Sequence, residues 1–145
     1  MFLGMYEHTL DAKGRLVMPR KFRDQLEEGC FVTQGQEHCL TVWPPEAFQA
    51  EYDRVSSLPA TDRRARKYRR SFFGGGADVA LDKQGRIPIP ENLRAWAGMV
   101  KDVTVVGQGH LVEVWATEVW DSEKAEADEY FSGVEEVLGL GGEEL

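Results

Sequence analysis

The chain repeats itself, and that repeat limits what it can fold into more than any other feature. Residues 10–23, LDAKGRLVMPRKFR, return as residues 81–94, LDKQGRIPIPENLR. At an offset of 71, Leu10, Asp11, Gly14, Arg15, Pro19 and Arg23 match Leu81, Asp82, Gly85, Arg86, Pro90 and Arg94. Leu16, Met18 and Phe22 are replaced by other apolar residues, Ile87, Ile89 and Leu93. One inserted residue then shifts the offset to 72, after which Gly35, His38, Val42, Trp43 and Glu46 match Gly107, His110, Val114, Trp115 and Glu118. Agreement of Gly, Pro and Trp at fixed spacing means that one supersecondary unit is built twice.

Each copy has the same grammar. A short strand enters a polar turn, Asp-x-x-Gly-Arg, and a second strand leaves it at 16–18 or 87–89. Pro19 or Pro90 then sets the first turn of a short helix. Two further strands follow around a Gly-containing turn, 30–33 with 40–43 and 103–106 with 111–115. Glu46 and Glu118 open another helix in each copy. Pro88 cannot donate a ladder hydrogen bond, which places it on an edge or pointing away from a partner strand. Between the copies the pattern predicts two helices, about 46–57 and 61–73, split by Ser56-Ser57-Leu58-Pro59. Gly74-Gly75-Gly76 is expected as a flexible turn into the second copy. After Glu118 an amphipathic helix is expected to about Leu138, followed by a frayed Gly-rich, acidic end.

Neither copy carries enough apolar sequence for a robust core alone, so the two are expected to intertwine about a pseudo-twofold axis. The expected class is α+β and β-rich, with added helices. The expected division is a first repeat at 1–48, a helical connector with a basic helix at 49–76, a second repeat at 77–122 and an acidic C-terminal helix and tail at 123–145.

The net charge of −8 argues at first against a nucleic-acid partner, but the charge is unevenly spread. Residues 1–94 hold 15 Lys+Arg against 13 Asp+Glu, whereas residues 95–145 hold 2 against 12. A DNA surface needs local positive potential rather than a basic whole. No apolar run reaches the roughly 18 residues of a membrane span. The first residues, MFLGMY, have no basic flank and no long apolar segment, unlike a signal peptide. Two cysteines, Cys30 and Cys39, fit a reducing cytoplasm.

Arg15 and Arg86 follow a turn glycine directly. A tight turn projects side chains outward, and arginine offers a planar fork for guanine or phosphate. The alternative is that each arginine pairs with Asp11 or Asp82 and only pins the turn; spacing alone leaves both open. Lys13 and Lys83 sit in the same turns at non-equivalent positions and suit phosphate contacts. Arg20, Lys21 and Arg23 face Glu91, Asn92 and Arg94 in the second copy, so the first short helix is the more positive. Arg20 is counted with the DNA-binding set, a solvated helix face being its alternative. Six cations between Arg63 and Arg70 point nearly all the way round a helix, which favours structural or intersubunit salt bridges. His8, His38 and His110 form no recognisable metal set, and Cys30, His38 and Cys39 lack a ligand spacing, so buried thiols are expected. Gly74-Gly75-Gly76 is no phosphate loop, because no Gly-Lys-Ser/Thr follows. Trp43 and Trp115 are expected in core or interface packing. Asp11 and Asp82 could meet as an acid–base pair, but the cations in each turn would keep both ionised, and no nucleophile–His set or cofactor loop accompanies them. An enzyme is therefore not expected.

The segments MFLGMYEHTLDAKGRLVMPRKFR and FFGGGADVALDKQGRIPIPENLR resemble the two signature segments of the MraZ family, within the larger group of AbrB/SpoVT-type transcription factors. The resemblance covers about residues 1–125, and its motif occurs in two forms, Asp-x-Lys-Gly-Arg and Asp-Lys-x-Gly-Arg. It implies two tandem AbrB-like repeats in a swapped-hairpin, double-split β-barrel, assembled into a homo-oligomeric ring. It implies a transcriptional regulator, usually a repressor, that binds double-stranded DNA upstream of the division and cell-wall gene cluster and associates with the nucleoid. By motif position the family's DNA-contacting residues fall on Lys13, Arg15, Lys83 and Arg86, with Asp11, Gly14, Asp82 and Gly85 forming the turns. No cofactor, metal or membrane partner is implied. A head-to-tail ring would match short direct repeats in a promoter, where a twofold dimer would match an inverted repeat. The alternative is an antitoxin-like protein-binding module; AbrB-like antitoxins carry one copy and a disordered toxin-binding tail, unlike the two copies and short acidic tail here.

Overall fold

In the computed structural model, which describes residues 1–134, the two Asp-x-x-Gly-Arg turns have the same backbone. Gly14 and Gly85 take φ of 75° and 77°, a left-handed conformation that costs glycine no Cβ clash. The Gly14 N–H donates to Asp11 O at 2.9 Å, and Gly85 repeats this bond to Asp82 O at 2.9 Å.

The first copy runs β1 (Met5–Thr9), β2 (Arg15–Val17), α1 (Arg20–Arg23), β3 (Cys30–Gln34) and β4 (Leu40–Trp43). The connecting helices are α2 (Pro45–Ser56) and α3 (Arg63–Gly74). The second copy runs β5 (Ala77–Val79), β6 (Arg86–Pro88), α4 (Glu91–Trp96), β7 (Asp102–Gly107) and β8 (Val112–Ala116), and α5 (Thr117–Phe131) follows. Short 3-10 turns occupy Asp24–Leu26 and Gln36–His38.

Several expected boundaries move, each for a local reason. β2 and β6 begin and end one residue earlier than the pattern suggested. The N–H groups of Met18 and Ile89 still bond Gly85 O and Gly14 O in register, at 2.9 and 3.0 Å, but the glycine N–H groups turn back to Asp82 O and Asp11 O, and the ladder ends there. Pro19 and Pro90 cap their helices from just outside rather than entering the first turn. β8 starts at Val112 because the Leu111 carbonyl closes the preceding loop, accepting from Gln108 N at 2.9 Å. α5 stops at Phe131, and the Gly133 N–H donates to Tyr130 O across the helix end; the expected terminus at Leu138 lies outside the described residues. In the glycine run, Gly74 ends α3 with open space where a Cβ would sit, while Gly75 and Gly76 are closely approached. A Cβ on Gly75 would lie 2.7 Å from Ser71 O, and one on Gly76 would lie 3.1 Å from Phe72 O.

One antiparallel sheet of six strands has the order β1-β7-β8-β4-β3-β5, and β2 and β6 form a separate two-stranded ribbon. β1 pairs with β7, and β5 pairs with β3, so the first strand of each repeat lies on the hairpin of the other. β4 and β8 join the two hairpins at the centre. Exchanging the two repeats reproduces this order read from the opposite edge.

Strand alternation divides the core in two. Val32, Val42, Val103 and Val114 face the ribbon's Leu16 and Ile87 together with Phe22 and Leu93 of α1 and α4. On the opposite sheet face, Trp43 and Phe31 pack with Phe48 and Val55 of α2 and Phe72 of α3, while Trp115 packs with Trp120 of α5. Trp43 and Trp115 are thus packing residues, buried in equivalent strands. No helix among the described residues is long and apolar enough to cross a membrane.

Candidate nucleic-acid interface

The β2/β6 ribbon sets the site. Its register pairs Arg15 with Pro88, Leu16 with Ile87 and Val17 with Arg86. Side chains alternate between faces, so Leu16 and Ile87 point into the core while Arg15 and Arg86 share the outer face on a diagonal. Pro88 is exposed on that face.

Each arginine is held by the aspartate that begins its own turn. Arg15 Nε donates to Asp11 Oδ2 at 2.7 Å, and Arg86 Nε donates to Asp82 Oδ2 at 2.7 Å. The other carboxylate oxygen of Asp11 accepts from the backbone N–H groups of Lys13 and Arg15, both at 2.9 Å; Asp82 accepts likewise from Gln84 and Arg86. The two turns lie side by side, with Arg86 Nη1 3.7 Å from Asp11 Oδ2 across the repeat boundary.

These bonds hold both aspartates ionised. The backbone N–H of Arg86, then its side chain and the Gln84 N–H, lower the Asp82 pKa to about 2 against partial burial. Asp11 is lowered in the same direction, first by the Arg15 backbone N–H. A carboxyl depressed on folding stabilises the fold above its unfolded pKa, ordinarily 3.8, and loses that contribution as pH falls toward 2. Thermal unfolding followed from pH 5 down to pH 2 is therefore expected to show falling stability, with a shallower slope in Asp82→Asn. An unchanged slope would contradict the assignment.

Pinning through Nε does not use up the guanidinium. The aspartate occupies the arginine's Nε, while the recorded hydrogen bonds of Arg15 leave its Nη edge to the outside, and its side chain is 30% exposed. Guanidinium has five donors, and bidentate contact with guanine or phosphate needs only the terminal pair. Lys13 and Lys83 are exposed at the turn tips, and Arg20 and Lys21 are exposed on α1. A two-stranded ribbon has dimensions that the B-DNA major groove admits.

Arg23 and Arg94 are the surprise. Arg23 Nε donates to Met18 O at 2.9 Å, and its guanidinium lies against Gly85 of the other repeat. Arg94 Nη1 donates to Ile89 O and lies against Gly14. A Cβ at Gly14 would collide with the Arg94 guanidinium, and one at Gly85 with that of Arg23. The signal was present in the repeat, since both arginines are kept where Arg20 and Lys21 give way to Glu91 and Asn92.

The remaining candidates lie elsewhere. On α3, Arg64 pairs with Asp62, while Arg66 and Arg69 donate to the carbonyls of Ala60 and Leu58. Arg63, Lys67 and Arg70 form an exposed stripe at helical spacing. His38 Nδ1 donates to Trp96 O at 3.0 Å, and the ring stacks on that indole. Burial pushes the Cys30 thiol up to about 12, and burial followed by Glu113 and Glu37 raises that of Cys39, so both are inert thiols. Among the described residues no cluster of three or more His, Cys, Asp or Glu stands in position to hold a metal ion.

The comparisons match this duplicated architecture. A family described as "MraZ protein, putative antitoxin-like" matches twice, over residues 1–71 and 72–138. A relative from Micrococcus luteus, named "Transcriptional regulator MraZ", is 44% identical over 136 residues, covering 94% of this chain and 95% of the relative. Two consecutive matches that fall on the two structural copies, with a relative aligned almost end to end, place the chain in the MraZ family.

Proposed function

We infer that the protein is a transcriptional regulator that binds double-stranded DNA sequence-specifically through the outer face of the β2/β6 ribbon. The observation that carries this reading is the paired Asp–Arg turn, built twice and set side by side on one surface. In this reading Arg15 and Arg86 contact base edges, and Lys13, Lys83 and Arg20 contact phosphates. On this reading the repeats at 1–48 and 77–122 carry the reading turns, joined by the connector at 49–76 and followed by the segment 123–145, and the cross-pairing of β1 and β5 supports a swapped-hairpin, double-split barrel of AbrB-like type. The name of the Micrococcus luteus relative supports the regulatory role. On this reading, which the family resemblance supports, the target lies upstream of the division and cell-wall gene cluster, repression is the outcome, and the protein is cytoplasmic, nucleoid-associated and without catalytic activity.

Genomic footprinting with the purified protein tests this reading. Discrete protected sites containing short direct repeats are expected; absence of any protected site, with retention of a small protein partner on purification, would favour the antitoxin-like alternative. Lys13→Ala and Lys83→Ala are expected to weaken binding to all sequences about equally, each reducing the salt slope by about 0.9 for one lost phosphate contact. A lysine variant with altered sequence preference would reverse that assignment.

A ribbon this short offers few base contacts, so specific affinity needs several subunits acting together. Two surfaces suit a head-to-tail ring. A groove of about 1100 Å³ opens beside α2, with an apolar floor and five carboxylates, Asp24, Glu27, Glu28, Glu46 and Glu51, against one arginine, Arg54. The Arg63, Lys67 and Arg70 stripe of α3 has the opposite charge. Reversing charge at Lys67 and Arg70 is expected to lower the assembled mass in light scattering, and to reduce affinity for repeated sites more than for a single site. A wild-type monomer at micromolar concentration that binds its operator tightly would rule the ring out.

A further inference from the structure

We propose that Arg23 and Arg94 are positioning residues that act crosswise, each holding the DNA-reading turn of the other repeat. The inference rests on the DNA-binding role of those turns and adds residues that do not touch the DNA.

The geometry forms two closed circuits. The carbonyl of Gly85 accepts from Met18 N–H at 2.9 Å, the carbonyl of Met18 accepts from Arg23 Nε at 2.9 Å, and the Arg23 guanidinium returns to lie on Gly85. The carbonyl of Gly14 accepts from Ile89 N–H at 3.0 Å, Ile89 O accepts from Arg94 Nη1, and the Arg94 guanidinium lies on Gly14. Each circuit crosses the repeat boundary, so each turn is backed by an arginine of the other repeat. Both glycines are buried beneath the guanidinium groups, and both arginines are half-buried.

This placement fixes what the turns must fix. Gly14 immediately precedes Arg15, and Gly85 immediately precedes Arg86. Glycine is the most permissive backbone residue, so a support laid against it adds to the aspartate bonds in aiming the arginine that follows. A guanidinium lying against the glycine, with an N–H donated to the carbonyl of Met18 or Ile89, supplies that support. Glycine suits the position on two counts: the left-handed φ favours it, and the guanidinium occupies the volume a Cβ would take.

The test has an arm without DNA and an arm with it. In the unliganded full-length protein, Arg94→Gln is expected to accelerate amide exchange at Gly14 and Arg15 by about tenfold while leaving Gly85 and Arg86 within about twofold. Arg23→Gln is expected to do the reverse. Equal acceleration at both turns, or acceleration at the variant's own turn, overturns the crosswise role. Should Arg94→Gln fail to fold, Arg94→Lys carries the same comparison. In the DNA arm, Arg94→Gln is expected to lower specific affinity about tenfold alone, to add little once Arg15→Ala is present, and to add fully to Arg86→Ala. Additivity with both overturns the proposal. Arg94→Lys keeps the charge but not the planar fork. Affinity preserved by lysine would make the residue a phosphate contact and overturn a positioning role; loss with lysine upholds it. If Arg15→Ala and Arg86→Ala both leave affinity untouched, the DNA-reading role of the turns fails, and the exchange arm still decides the crosswise support.

Discussion

Leu16→Ala is expected to destabilise the protein by about 2–5 kcal/mol, the range for a buried leucine whose surroundings cannot collapse into the space it leaves. Leu16 is fully buried and pairs with Ile87, also fully buried, at the middle of the β2/β6 ribbon. Both lie in the core cluster shared by the two repeats, among Phe22, Leu93 and the inward valines of four strands. Those neighbours are fixed from both repeats at once, which limits relaxation. Because the ribbon is only three residues long in each strand, losing its central contact removes support from the whole outer face. Denaturant unfolding measures the loss directly. A change under about 0.5 kcal/mol, the scale of ordinary surface substitutions, would mean that the ribbon is not anchored through this pair.

Arg15→Ala is expected to weaken binding to the specific DNA site by about 1–3 kcal/mol, the worth of one bidentate base contact, and Arg86→Ala by a similar amount. Asp11 and Asp82 hold the Nε of each arginine, which would preset the direction of its fork toward DNA. Neither arginine is required for burial, so both variants are expected to stay folded. Lysine at either position is not expected to restore the affinity, since a point charge cannot make two parallel hydrogen bonds. Titration of a fluorescent duplex, with an unrelated duplex as competitor, separates lost discrimination from lost general affinity. Losses of equal size on both duplexes would make the arginines phosphate contacts.

The duplicated turn was legible because its requirements are local. Glycine at a left-handed position, aspartate beginning the turn and proline before the helix are each dictated within a few residues, and they fixed both turns and both short helices. The strands of the two hairpins were legible for the same reason, through apolar alternation. What alternation cannot say is which strand lies beside which. The pairing of β1 with β7, and of β3 with β5, follows from burying two incomplete cores together, a property of the whole chain. Arg23 and Arg94 were hidden for that reason. On a short charged helix they looked like solvated residues, and only the crossing of the repeats brings each to the other's glycine. The cations of α3 were misleading in another way: two of them serve backbone carbonyls of the preceding turn, which no charge pattern reveals.

The most direct test of DNA reading by the paired turns is the discrimination of the Arg15→Ala/Arg86→Ala double variant. Its affinity for the site that the wild-type protein selects is measured against unrelated DNA at one salt concentration, with thermal unfolding recorded in parallel. The expected result is a folded protein whose two affinities converge, while the wild-type protein keeps them well apart. A folded double variant that discriminates as well as the wild type would contradict the role of the turns and move DNA recognition to another surface.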